Sequence, residues 1–432
     1  MTAEPGPWRV VLADLDAPLP TVDATRPRGG RYERALCFLT RGGALVGQVE
    51  VGLDPPVPLA DAVAGLTFPE PSRPAGVPDS ALPFATVVVA TTMVRVSELD
   101  RCLSALLRLE YPAFEVVLVD NRPSTSPERA SLYEALCRDA RVRVVAEPRP
   151  GISAARNHGA RLARGEVVAF TDDDVVVDPG WLRAVASRFV AEPDTSCVTG
   201  PVLPAELETP AQLWFEQSGS KLPNRCEVTT LRGPARSAGL GRRAFEADVL
   251  VPGRPTERAF IYRAGTFGMG ANMAWRRPAL ARLRGFSEAL GIGTATMGGE
   301  DIDSMMRLLR SGGQFTFDPA AIVHHYHRRD LEGSRTQMYG YGTGFTAVVT
   351  SWVLADPRHL AGLAYQLAPA LRVLARRSGS RRSGDYPAEL ATQETRGMRA
   401  GPLAYLRSRR AARRNGAGHA ADWSHDAVGT AP

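Results

Sequence analysis

The 432-residue chain lacks several things, and each lack closes off a class of function. Of its 52 basic residues only Lys221 is a lysine, and no GxxxxGK[ST] occurs, so a P-loop is excluded. The first apolar run of the main domain leads into TTMVR rather than GxGxxG, which argues against nicotinamide or flavin binding. The five cysteines, at 37, 102, 137, 197 and 226, form no CxxC pair. That excludes a zinc cluster and a disulfide framework, and it fits a reducing compartment. The opening MTAEPGPWRVVLADLD has neither the basic start nor the apolar core of a secretory leader. The stretch FTAVVTSWVLA (345–355) is too short to span a bilayer. Together these features predict a cytoplasmic protein.

The formal charge of +6 is unevenly placed, with twelve arginines against three acids between 371 and 416. The rest of the chain is slightly acidic, so a nucleic-acid partner is not expected.

Short β-like runs with glycine turns over 1–66 predict a small β-rich N-terminal module, and the repeated prolines of 67–83 a linker. From Phe84 to about residue 355, apolar strands alternate with helices: FATVVVAT, SELDRCLSALLRLEY, FEVVLVDN, SPERASLYEALCRDA, VRVVAEP, ISAARNHGARLARG and EVVAFTDDD. In DPGWLRAVASRFVAEP, Asp178 reads as the N-cap of a further helix. Continuous apolar strands between helices predict an α/β fold with a mostly parallel sheet covered on both faces. Ligands of such sheets lie at the carboxyl ends of the strands, where Thr91, Asp120, Asn121 and Asp172–Asp174 should converge. Residues 356–432 read as a basic tail, partly helical.

Three consecutive aspartates behind an apolar strand offer hard oxygen ligands to a divalent cation such as Mg2+ or Mn2+; a solvated acidic turn is the plainer reading. In HHYHRRD, His325 or His327 could complete a metal shell, and Arg328 or Arg329 could reach a diphosphate. In GGEDIDS, Glu300 or Asp301 reads either as a general base facing the crevice or as a helix-capping acid.

The ordered set VVVAT, CLSALLRLEYP, FEVVLVDN, GISAARNHGARLARGEVVAFTDDD, GANMAWRR, GGEDIDS and HHYHR resembles the family 2 glycosyltransferases, over residues 84 to 345. The resemblance implies a GT-A (Rossmann-like) fold and an inverting, metal-assisted transfer from a nucleotide-sugar donor to a glycan, lipid-linked or small-molecule acceptor. It implies donor contacts at Thr91, Asp120, Asn121, Arg156, Asp172 and Asp173, and a metal at Asp174 and His325. The base would be Asp301 of the Glu300–Asp301 pair, with diphosphate or acceptor contacts from Arg328, Asn272 and His327. The chain departs from the usual pattern at Thr92-Met93-Val94 and at NRPSTS (121–126), both near the expected nucleotide base, which leaves the nucleotide open. A binding protein that kept the scaffold, or a sugar-phosphate nucleotidyltransferase, are the competing readings. The basic tail reads either as a peripheral contact with the cytoplasmic face of a membrane or as a solvated arginine-rich segment.

Overall fold

A computed structural model describes residues 5–27, 29–71, 76–124, 126–218, 225–234, 241–366 and 387–416. Parts of the 67–83 linker, of the 203–262 insertion and of the tail, including RVLARR (372–377), lie outside the described residues.

The central sheet has ten strands. At one end Val142–Ala146, Phe114–Asp120, Ala85–Thr91 and Val167–Asp172 run parallel, and one helix joins each of these strands to the next in the chain. These strands are buried on both faces, which is why they read as unbroken apolar runs. Val87 and Val89 enter one core, with Leu99, Trp181 and Phe189. Val88 enters the other, with Phe170, Trp275 and Met305. The parallel character expected from the sequence holds over this half. Beyond it Met273–Arg276 pairs antiparallel with Val167–Asp172 and with Thr195–Thr199, and the insertion adds antiparallel strands Thr229–Arg232, Glu246–Leu250 and Glu257–Phe260. In the same half Thr195–Thr199 pairs parallel with Gln314–Phe317, so the sheet is mixed there.

A second sheet of three short strands positions the metal-binding candidates. Val323–His325 lies between Val175–Val177 and Val202–Pro204, and its register sets His325 directly opposite Val175. The helix expected from Asp178 begins later, at Trp181, with Gly180 at the cap. Asp178 instead accepts the Gly180 N–H at 2.8 Å, closing a turn ahead of the helix.

In the N-terminal segment, Trp8–Asp14, Arg34–Arg41 and Ala44–Gly52 form a three-stranded sheet. Its Leu36, Phe38 and Leu45 share a core with Leu203, Leu207, Leu213 and Ile322, and Leu45 N–H donates to the Pro319 carbonyl at 2.9 Å. The sheet therefore braces the strands that carry His325. Near the other terminus, helix Ala388–Arg414 packs along helix Leu331–Ala355, burying Leu390, Gly397, Gly401, Ala404 and Tyr405. Among the described residues no helix is long and apolar enough to cross a membrane.

Candidate active site

The site lies where the parallel strands end. Asp172 closes strand Val167–Asp172, and Asp173 and Asp174 form the turn into Val175–Val177. Tyr326 N–H donates to the Asp174 carbonyl at 3.0 Å, which locks this turn to the strand bearing His325. The side chains follow: His325 Nε2 stands 3.3 Å from Asp174 Oδ1.

Behind His325 runs a chain of hydrogen bonds. Its Nδ1 is 2.9 Å from His327 Nδ1, and His327 Nε2 is 2.9 Å from Glu216 Oε1. Glu216 can only accept, so His327 donates through Nε2 and receives the Nδ1–H of His325. This ordering aims Nε2 of His325 at Asp174 and fixes the ring, the usual support for a metal-binding imidazole. His327, expected at a diphosphate or acceptor, is buried and committed to this support. Burial pushes the Asp174 carboxyl up, but His325 and Arg95 outweigh it and hold it well below the usual carboxylate range. Burial lowers the His325 imidazole, and Asp174 more than reverses that.

Asp174 and His325 fit a divalent cation: an ionised oxygen and an oriented nitrogen face each other. Among the described residues no group of three or more His, Cys, Asp or Glu is poised around one ion. Two protein ligands suit a cation that keeps positions open for water and phosphate oxygens.

Arg156 ties the opposite wall together. It is 1% exposed and donates to Glu300 Oε1 at 2.7 Å, to Asp172 Oδ1 at 2.8 Å and to the Gly270 carbonyl at 3.1 Å. A Cβ on Gly270 would stand 2.8 Å from the Arg156 guanidinium, so only glycine admits this approach. Arg156 thus joins the aspartate turn to helix Glu300–Arg310 from below, where the sequence placed it at the diphosphate. Glu300, read as a base, is buried, and its Oε1 accepts from the Arg156 guanidinium. Burial beside Asp301 pushes its carboxyl up to about 7, against the pull of Arg156. Asp301 is half-buried, and Gly270 N–H donates to its Oδ2 and Ile302 N–H to its Oδ1, each at 2.8 Å. The helix starts at Gly299, whose φ of 96° needs glycine.

Other expected donor contacts are committed within the protein. Thr91 Oγ1 donates to Asp173 Oδ2 at 2.7 Å. Asp120 accepts from Tyr133 Oη and Arg122 N–H, both at 2.8 Å. The Asn121 amide binds the backbone of Glu147, Arg149 and Gly151, shaping the loop rather than facing the crevice. Asn272 is 1% exposed and bound to Trp181, Pro201 and Ala321, which makes it a structural amide. Arg328 stays at the mouth, its Nη2 4.0 Å from Asp174 Oδ2.

Besides Glu216, two further residues stand at the site without having been singled out from the sequence. Arg95, the basic residue of TTMVR, donates to Asp173 Oδ1 at 2.5 Å and Asp174 Oδ2 at 2.7 Å. Its place four residues past a strand end, among acids, is the signal that could have found it. Tyr341, on helix Leu331–Ala355, feels the charges of Asp301, Asp172 and Asp174; burial first, then these charges, raises its phenol above the ordinary value.

Comparison with known proteins gives the following. Residues 86–250 match the family model described as Glycosyl transferase family 2. The chain is 36% identical over 108 residues to the uncharacterized glycosyltransferase EpsJ of Bacillus subtilis, covering 25% of this chain and 30% of that protein. It is 26% identical over 323 residues to the pre-mycofactocin glycosyltransferase of Mycobacterium tuberculosis, covering 74% of this chain and 59% of that protein. The chain therefore spans less than two thirds of either curated relative. Among solved structures it is similar to the mannosyltransferase PcManGT from Pyrobaculum calidifontis, in complex with GDP-Man and Mn2+. That likeness has 17% identity and a TM-score of 0.45, covering 79% of this chain and 89% of the other.

Proposed function

We propose that this chain, whose residues 86–250 match the glycosyl transferase family 2 model, is a glycosyltransferase of that kind that moves a sugar from a nucleotide-diphosphate donor to a hydroxyl acceptor with inversion. The observation that carries this reading is the Arg156 bridge that joins the Asp172–Asp174 turn to the start of helix Glu300–Arg310. Asp174 and His325 meet on the strand side, and Asp301 is aimed by two backbone amides on the helix side.

Asp174 and His325 would hold a divalent cation, Mn2+ or Mg2+, which when bound neutralises the charge growing on the departing diphosphate. Asp301 takes the proton of the acceptor hydroxyl. The acceptor oxygen then bonds to the anomeric carbon from the face opposite the diphosphate, and the old C–O bond breaks with its electron pair leaving on the diphosphate. One displacement inverts the carbon and needs no covalent sugar intermediate. Arg328 at the mouth supplies positive charge toward the diphosphate. The Arg156 bridge keeps the two walls at a fixed spacing, so the attacking oxygen and the leaving group are held in line.

Replacing Asp301 by Asn keeps the side chain's size, removes the base and gives up one of its two backbone hydrogen bonds. The expected result is a loss of transfer of at least about 100-fold with donor affinity nearly unchanged. Equal losses in both would assign Asp301 to donor binding instead.

A further inference from the structure

Resting on the reading of Asp174 and His325 as metal ligands, we propose that Arg95 is a resident counter-cation. It keeps the Asp173–Asp174 pair from taking a bare divalent ion, so that metal and donor diphosphate enter together.

The guanidinium bridges both carboxylates, at 2.5 and 2.7 Å. The Asp173 and Asp174 side chains are 9% and 6% exposed, whereas that of Arg95 is 34% exposed. The acids are fixed in the wall and the cation sits over them with an open path to solvent. Asp174 divides its two oxygens: Oδ1 faces His325 and Oδ2 holds Arg95, with Arg328 approaching the same Oδ2. Arg156 answers Asp172 from below. Three arginines thus face the three aspartates, with Arg156 also shared by Glu300, so the chain itself supplies the cluster's counter-charges.

The loop that presents Arg95 is anchored to one of these acids. Met93 takes a left-handed φ of 53° and donates its N–H to Thr91 Oγ1, which in turn donates to Asp173. A non-glycine residue in that region persists only where its surroundings hold it, so the placement of Arg95 is built in.

A divalent ion arriving alone at Asp174 and His325 would share a carboxylate with a guanidinium, and the like charges repel across a poorly solvated gap. An ion arriving with a diphosphate brings the acceptor that Arg95 needs. The guanidinium then exchanges carboxylate oxygens for phosphate oxygens, a geometry it matches equally well. No covalent bond changes in this exchange. Its consequence is an order of assembly: the free protein binds metal weakly, and a hydrolytically competent bare ion does not collect in the crevice.

The test uses the full chain and Mn2+ alone, with free Mn2+ counted by electron paramagnetic resonance. Arg95→Met and Arg95→Gln are expected to bind Mn2+ at least about ten-fold more tightly than the wild type. Arg95→Lys, which keeps the charge, should stay close to the wild type. In the Met and Gln variants Mn2+ should raise the melting temperature more than in the wild type, because their acid pair lacks its counter-charge. Affinity no tighter in Met and Gln than in the wild type overturns the inference while leaving the metal reading standing. Mn2+ binding that survives Asp174→Ala unchanged overturns the metal reading, and this inference with it.

Discussion

Arg156 and Glu300 show how one buried charge can organise a site. Taking a guanidinium out of water is costly unless its partners neutralise it, and Arg156 has two carboxylates and a carbonyl within 3.1 Å. Glu300 answers it only in part, because Asp301 lies beside it and both are crowded at one helix start. The consequence for pH has a definite sign. A carboxyl raised to about 7 holds its proton more tightly folded than unfolded. The folded state is favoured at low pH, and stability falls as pH rises from the ordinary carboxyl range through about 7. In Glu300→Gln this slope is removed. The melting temperature of the variant minus that of the wild type should therefore increase between pH 5 and pH 8, measured by calorimetry. A difference constant across that window would contradict a Glu300 carboxyl raised to about 7. At this scale the sequence told residue types but not their direction. Asn121 and Asn272 were themselves expected contacts, yet their amides bind backbone groups and, for Asn272, the Trp181 indole, and nothing local distinguishes an amide that faces a ligand from one that ties a loop. Arg95 and Glu216 were missed because their partners lie 79 and 111 residues away.

At the level of elements, register does what no single residue can. His325 faces Asp174 because Val323–His325 pairs with Val175–Val177 in one phase, and a slip of one residue would turn it to the opposite side. The parallel strands were legible, since burial on both faces forces an unbroken apolar run. The mixed half of the sheet was less so, because short strands within the Gly- and Pro-punctuated 203–262 segment lack period and length. The Arg-rich tail could be read as helical, but one helix face looks the same whether it meets a membrane or a neighbouring helix. Here the small residues of Ala388–Arg414 close onto Leu331–Ala355. A Cβ on Gly397 would stand 2.1 Å from the Tyr339 carbonyl oxygen, and one on Gly401 1.9 Å from Thr346 Oγ1. Gly397→Leu should therefore separate the pair and destabilise the protein by about 1–3 kcal/mol, read from urea denaturation. An unchanged midpoint would show that the two helices contribute no stability to each other. Because Tyr341 and the Gly298–Gly344 contact lie on the first of these helices, loosening the pair should also reach the crevice.

Across the whole molecule, three separate parts of the chain hold one pair of side chains in place. The N-terminal sheet packs Phe38 and Leu45 under the strands beside His325, the central strand that ends at Asp172 leads into the turn bearing Asp174, and helix Leu331–Ala355 packs against the helix that carries Asp301. On the proposed function, this site binds a nucleotide sugar through a divalent cation at Asp174 and His325. The most direct test is a melting-temperature screen of nucleotide sugars against the wild type and Asp174→Ala, with Mn2+ and with EDTA. A ligand that binds only the folded state must stabilise it, by about 2.7 kcal/mol at one hundred times its dissociation constant. The account expects at least one nucleotide sugar to raise the melting temperature of the wild type by several degrees with Mn2+ but not with EDTA, and to leave Asp174→Ala unmoved. Stabilisation of equal size in EDTA, or in Asp174→Ala, would contradict it.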